Sequence, residues 1–262
     1  MITPTDEFSD EELSRAVALH GFEDKPLAIA HFSFSEPHSV IAAHSPGGRM
    51  TPLVEFLPLP MRGAELLGSI ASIDEQGPRL IGNFRKLFSD LAAEVDDFDP
   101  EVDIADSAAL GWLFASASLL LGLSQAEAEE ALLYESETVK LDTYLVEIAG
   151  HNFLDSRRML RSLMSYRIAG VQNHVLARSI FISLGNFTGE VVRRLLSDFD
   201  AKAVLCLGDL FFANRILADS ARSSMATLRV PIFLSSGPNL EDPLTQLEAL
   251  LSFEGISIKA RG

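Results

Sequence analysis

Apolar positions along this chain fall into three regimes. From 25 to 57 they come in short runs at strand spacing: 27–30 is apolar, 39–43 is rich in strand formers, and 52–57 is a third candidate. S-E-P and S-P-G-G lie between them as turn signals, and Gly47-Gly48 after Pro46 is a turn. Three strands joined by short turns predict an antiparallel meander. Pro58, Pro60 and Gly63 close that stretch. From 61 to 199 the spacing becomes helical, with helices predicted over 64–73, 78–95, 107–121, 125–134, 139–148, 155–166 and 171–196. The acidic run 96–103 is a loop between two of them.

The third regime organises the rest. Residues 203–207, A-V-L-C-L, read as a fully buried parallel strand. Gly208-Asp209 breaks the run, and a helical pattern follows through Phe212, Ile216 and Leu217. A strand, a Gly turn and a helix in succession set backbone N–H groups at the strand's carboxyl end, where open α/β sheets bind ligands. A further strand at 230–234 and a helix at 243–251 complete the unit. At the other end, 7–22 reads as an amphipathic helix, with Ser9 and Glu12 as a capping box. The expectation is a single α/β domain over 1–262: an N-terminal helix (1–24), a strand meander (25–60), a helical insertion with a long helix (61–200) and a closing strand-helix-strand unit (201–262).

Composition narrows the function classes. Of 262 residues, 47% are hydrophobic, enough for a substantial core. Lys and Arg total 21 against 37 Asp and Glu, a formal charge of −16 that repels phosphate backbones and anionic membranes. Neither nucleic acid nor membrane is expected as a partner. The basic group Arg157, Arg158, Arg161 and Arg167 reads as a solvated helix face or a protein contact. No apolar run reaches the roughly 18–20 residues of a membrane span. The acidic N-terminus does not read as a secretory signal. One cysteine, Cys206, permits no intrachain disulfide, which fits a cytoplasmic protein, and its place in the strand pattern makes it a core residue.

Three motifs resemble a known family. G-W-L-F-A-S-A-S-L-L-L-G-L at 111–123 resembles G-R-L-F-D-A-V-A-A-L-L-G-L of the hydrogenase-maturation carbamoyltransferases (HypF-type). E-A-E-E-A-L-L-Y-E at 127–135 resembles the stretch that follows it there, and L-G-D-L-F-F-A-N-R-I-L at 207–217 resembles L-S-G-G-V-F-Q-N-R-L-L. The order is the family's. Asn173-His174 stands where the family has Phe-His, and Pro238-Asn239 where it has P-N-D-G-G. The resemblance implies the second, ribonuclease-H-like lobe of an actin-like ATPase/sugar-kinase fold, with ATP as the family's nucleotide. If nucleotide binding is retained, it implies Gly208, Asp209, Asn214, Arg215 and His174 as the contacts.

The departures point the other way. Where the family has the phosphate turn D-G-T-G, residues 31–37 read H-F-S-F-S-E-P: phenylalanines stand for glycines and the acid is gone. The Asp of the family's L-F-D is Ala115, its Arg is Trp112, and the Gly-Gly of the nucleotide turn is Asp209-Leu210. An acid there would repel phosphate by about 1 kcal/mol or more. Leu113, Phe114, Leu120, Leu121, Gly122, Phe212, Asn214, Arg215 and Leu217 keep the family's identity and are expected to pack.

Other constellations carry less. His31, His38 and His44 could ligate a metal but read better as surface or turn histidines. His151 near Asp155 could pair a base with its orienter, though no nucleophile stands at motif spacing, so no catalytic residue is assigned. His174 reads as a buried, satisfied histidine, and Arg215 as the ion-pair partner of Asp219 at i+4. The expected function is a non-catalytic, HypF-like accessory or scaffold protein that uses no cofactor. It acts through a protein partner or a homodimer that covers the face left by a missing lobe. The alternatives are a nucleotide-dependent carbamoyltransferase completed by another chain, and a small-molecule or metal-binding module.

Overall fold

A computed structural model describes residues 13–14, 17–18, 21–34, 39–100, 110–123 and 137–234. Strands β1 (Leu27–His31), β2 (Val40–Ser45) and β3 (Arg49–Phe56) form the predicted antiparallel meander. Gly47 and Gly48, at φ 94° and 88°, make the β2–β3 turn, a backbone region that L side chains rarely enter. Strand β6 (Ala203–Leu207) lies parallel to β1, and β7 (Ile232–Leu234) parallel to β6.

The helical block holds a strand pair that the sequence pattern does not predict. Residues 139–148, expected as a helix, run extended into β4 (Leu145–Ile148), which pairs with β5 (His151–Leu154). Ala149 and Gly150, both at positive φ, form the two-residue turn. Thr143, Tyr144, Val146 and Ile148 are residue types that favour a pleated surface, and β5 finds a free edge parallel to β3. The segment before β4 is satisfied by helical serines: Val139, Leu141 and Asp142 donate their N–H groups to Ser179, Ser183 and Ser162. The result is a seven-stranded mixed sheet in the order β4-β5-β3-β2-β1-β6-β7.

Among the described residues the helices are α1 (Gly63–Ala71), α2 (Gly77–Leu87), α3 (Ser89–Asp97), α4 (Leu110–Leu121), α5 (Ser156–Ile168), α6 (Asn173–Phe199), α7 (Asp209–Ala213) and α8 (Arg215–Ser224). The single helix expected over 78–95 is broken at Phe88, whose backbone leaves the helical region (φ −130°, ψ 55°). Its ring packs against Phe84 and beneath the Arg167 guanidinium. The helix expected through Phe212 and Leu217 is likewise broken, at Asn214. Of the N-terminal helix, Leu13, Ser14, Val17 and Ala18 are helical; Ser9 and Glu12 lie outside the described residues, as do the helices expected at 125–134 and 243–251.

Both faces of the central strands are covered. Ala28, Ala30, Ile41, Val54, Phe56, Val204 and Cys206 join one core with residues of all eight helices, while Leu27, Ile29, Val40, Ala42, Met50, Ala203 and Leu205 form a second core with Leu13 and Val17. Helix α6 is the main beam of the first. It is long and apolar enough to cross a membrane by length and composition, which the run-length reading did not register, but 72% of its apolar window is buried within the fold. Gly185 and Gly189, four residues apart on α6, let α8 approach: a Cβ on Gly185 would lie 2.7 Å from Ser220 Cβ, and one on Gly189 2.5 Å from Ser224 Cβ.

Candidate functional site

Strands β1, β3, β5, β6 and β7 run the same way, so their carboxyl ends share one edge of the sheet. Ligands of α/β sheets bind on that edge, between strands whose following segments diverge. Here that place lies between β1 and β6. It is stitched shut. Phe32 donates its N–H to the Leu207 carbonyl at 3.0 Å, and Leu210 donates to the Phe32 carbonyl at 3.2 Å. Gly208 sits between them at φ 94°, ψ 159°, where a Cβ would stand 2.1 Å from the Phe32 carbonyl oxygen. The first turn of α4 closes the third side, with Gly111 donating to the Phe34 carbonyl at 3.1 Å.

The Asp209 carboxylate meets a donor from the segment after β1. Its Oδ1 accepts the Phe34 N–H at 2.7 Å, a short, charge-assisted bond across 175 residues of sequence. The residues that bound the crevice carry rings that pack into the core. Phe32 stacks on Phe211 at 4.9 Å and meets Phe56 edge-on at 5.4 Å. Phe34 stacks on Phe114 at 5.8 Å, and Phe114 on Phe181 at 4.5 Å. Trp112, in the place of the family's Arg, donates its indole N–H to the Pro60 carbonyl at 3.0 Å. A phosphate approaching this crevice meets a negative charge and a donor already occupied. The residues present do not fit a nucleotide's phosphates.

The other candidates are dispersed. Asn214 caps α8, its Oδ1 accepting the Leu217 N–H at 2.9 Å, which accounts for the break in the helix. Arg215 is 93% exposed and pairs with Asp219 at 3.4 Å, as expected. Phe212, expected to pack, is 38% exposed. His174 is half-buried rather than buried, in the first turn of α6. Asn173 beside it donates to the Leu121 carbonyl at the C-terminal end of α4. Since Gly111 at the opposite end of α4 touches the crevice, His174 stands roughly 15 Å of helix away and does not join Gly208 and Asp209.

His31 and His44 are not surface or turn residues. They are 8% and 3% exposed on β1 and β2, because this part of the sheet is covered on both faces. His44 Nδ1 lies 3.0 Å from the Lys25 carbonyl. The register sets His31 opposite Val40 and His44 opposite Leu27, on one face but roughly 13 Å apart. His38 lies outside the described residues; among those described, no three metal-ligating side chains converge.

His151 does not pair with Asp155. It opens β5, and its Nδ1 lies 3.5 Å from Glu55 on β3. Asp155 caps α5 and holds Arg157 by two contacts of 2.7 and 2.8 Å, with Arg158 at 3.8 Å. The hydrogen bond to Asp155 raises the Arg157 pKa, against the opposing effect of burial. Arg161 pairs with Asp74 at 3.0 Å. Arg167 lies over Phe88 and donates to the Leu120 carbonyl, with burial lowering its pKa. The basic group is thus engaged within the fold and is not a solvated face. Cys206 is fully buried, and burial pushes its pKa up to about 12.

The sheet and its helices form a HypF-like α/β fold. Full-length HypF, in a phosphate- and nucleotide-bound form, superposes with a TM-score of 0.62 over 87% of this chain and 32% of its own, at 14% identity. HypF of T. kodakarensis superposes with a TM-score of 0.57 over 80% of this chain and 31% of its own, at 13% identity. In sequence the chain is related to protein HydE of Wolinella succinogenes, at 30% identity over 174 residues, 61% of this chain and 31% of HydE. The likeness to HypF read from the motifs is therefore met in the fold. The chain spans about a third of the length of these relatives. No protein-family model matches it.

Proposed function

We propose that this chain is a non-catalytic, HypF-like accessory or scaffold protein of hydrogenase maturation, acting through protein–protein contacts. The observation that carries this reading is the crevice between β1 and β6, where the Asp209 carboxylate holds the Phe34 N–H and phenylalanine rings fill the space beside it. The relationship to HydE and the HypF-like fold favour hydrogenase maturation as the setting. We read the chain as one domain, a single ribonuclease-H-like lobe of the actin-like ATPase kind. The support is the antiparallel meander, the helical insertion and the closing β6-α7-α8-β7 unit. A lobe of that kind normally faces a second one, so a homodimer or a larger maturation protein is the expected partner, in the cytoplasm.

Isothermal titration with ATP and with a carbamoyl-adenylate analogue tests the reading. The expected result is no saturable heat; micromolar binding of either overturns it. The competing reading, a carbamoyltransferase completed by another chain, predicts exchange of pyrophosphate into ATP in the presence of carbamoyl phosphate when candidate partners are added. Size measurement in solution and capture of partners from the native host identify what the scaffold holds.

A further inference from the structure

The crevice between β1 and β6 has an occupant of its own, and this deepens the reading above. We propose that the Asp209 carboxylate is a built-in anion that occupies this crevice, taking the position an external phosphate or carboxylate oxygen would occupy. Three observations converge on it. The crevice lies where segments diverge from two adjacent parallel strands, the usual ligand position of an α/β sheet. The Phe34 N–H faces it from the loop after β1, and a bare amide at that position would be a donor for an anion. The group that meets this amide is an ionisable carboxylate from the segment after β6, at 2.7 Å, although the β1–β6 junction is already held by two backbone hydrogen bonds and the contact at Gly208.

The contact is therefore a clasp between two loops. The junction beneath it, Phe32 to Leu207 and Leu210 to Phe32, does not depend on the Asp209 side chain. Loss of the carboxylate should remove this bond to the Phe34 amide and leave the sheet intact. A side chain that keeps an uncharged acceptor of the same shape, as in Asp209→Asn, should keep the clasp. One too short to span the gap, as in Asp209→Gly or Asp209→Ser, should open it. The serine variant avoids the extra backbone freedom of glycine at the start of α7 and serves if the glycine variant does not fold.

Residue-resolved amide exchange of Phe34 in the full chain, with and without inorganic phosphate, reads this directly. In the wild type and in Asp209→Asn the amide should exchange slowly, and phosphate should change nothing. In Asp209→Gly or Asp209→Ser it should exchange at least about tenfold faster, the loss expected for one charge-assisted hydrogen bond. Added phosphate should slow it again in these variants. Unchanged exchange in both short-side-chain variants overturns the proposal. So does faster exchange that phosphate fails to slow, or phosphate protection of equal size in the wild type. The ATP titration of the wild type is independent of these outcomes. It tests whether the chain binds nucleotide, and the amide test shows whether Asp209 is what fills the crevice.

Discussion

Gly208→Ala is the sharpest probe of the β1–β6 junction. A Cβ at this position would lie 2.1 Å from the Phe32 carbonyl oxygen and 2.7 Å from its carbon. Both atoms are backbone, and Phe32 cannot retreat, because its N–H is held by Leu207 and its carbonyl by Leu210. The backbone at φ 94°, ψ 159° adds strain of about 1–3 kcal/mol, since that region is open essentially only to glycine. Overpacking against a fixed neighbour adds about 1–3 kcal/mol more. A loss near 4 kcal/mol is expected, which lowers the melting temperature by about 8–16 °C. Gly150→Ala is the control. Gly150 also has positive φ, 86°, but nothing lies within 4 Å of its added Cβ, so it carries strain alone, about 1–2 kcal/mol. Urea unfolding followed by far-ultraviolet circular dichroism compares the two. If the variants fall within about 1 kcal/mol of each other, the close approach of the two loops is not real and the account of the crevice fails with it.

Three further outcomes test separate parts of the fold. Gly189→Ala, whose Cβ would stand 2.2 Å from Ser224 Oγ, should cost about 1–3 kcal/mol in urea, and Ser224→Gly in the same chain should recover at least half of it. Asp155→Ala removes a buried carboxylate that caps α5 and pairs with Arg157; the expected loss is about 3 kcal/mol, with Asp155→Asn milder because it keeps the cap. Cys206 should be inert to a disulfide reagent at pH 8 until the chain unfolds. With its pKa raised from 9.0 to about 12, the unfolded thiol ionises first, so stability contributed by the neutral thiol is complete below pH 9 and is lost as pH rises towards 12. Urea midpoints from pH 8 to 11 should therefore fall more steeply in the wild type than in Cys206→Ala, and parallel slopes would count against the burial.

Much of the sheet was legible because its strands announce themselves locally. The meander shows as apolar runs between Gly and Pro turns, and β6 as an apolar run cut by Gly208. What stayed hidden depends on partners remote in sequence. The run 139–148 looks helical until β5, itself docked on β3, offers an edge and Ser179 and Ser183 offer acceptors. His31 and His44 look like surface residues until both sheet faces are known to be covered. Asp209 could be read from the sequence as hostile to phosphate, but its bond to Phe34 could not. The glycines of α6 left no signal that separated close helix contact from chance.

The residues that set this chain apart from the HypF-type motifs are built into the fold. Trp112 holds the Pro60 carbonyl, Phe32 and Phe34 stack into the core, and Asp209 bridges two loops. The retained residues act locally: Asn214 caps α8, while Leu113, Leu120, Leu121 and Leu217 are buried. This division bears on the idea of a site completed by another chain. A partner can supply missing groups, but it cannot remove a carboxylate already bonded where a phosphate would go. Admitting an anion would mean breaking the Asp209–Phe34 bond. That is the ground on which we propose a role in what this chain holds, not in what it converts.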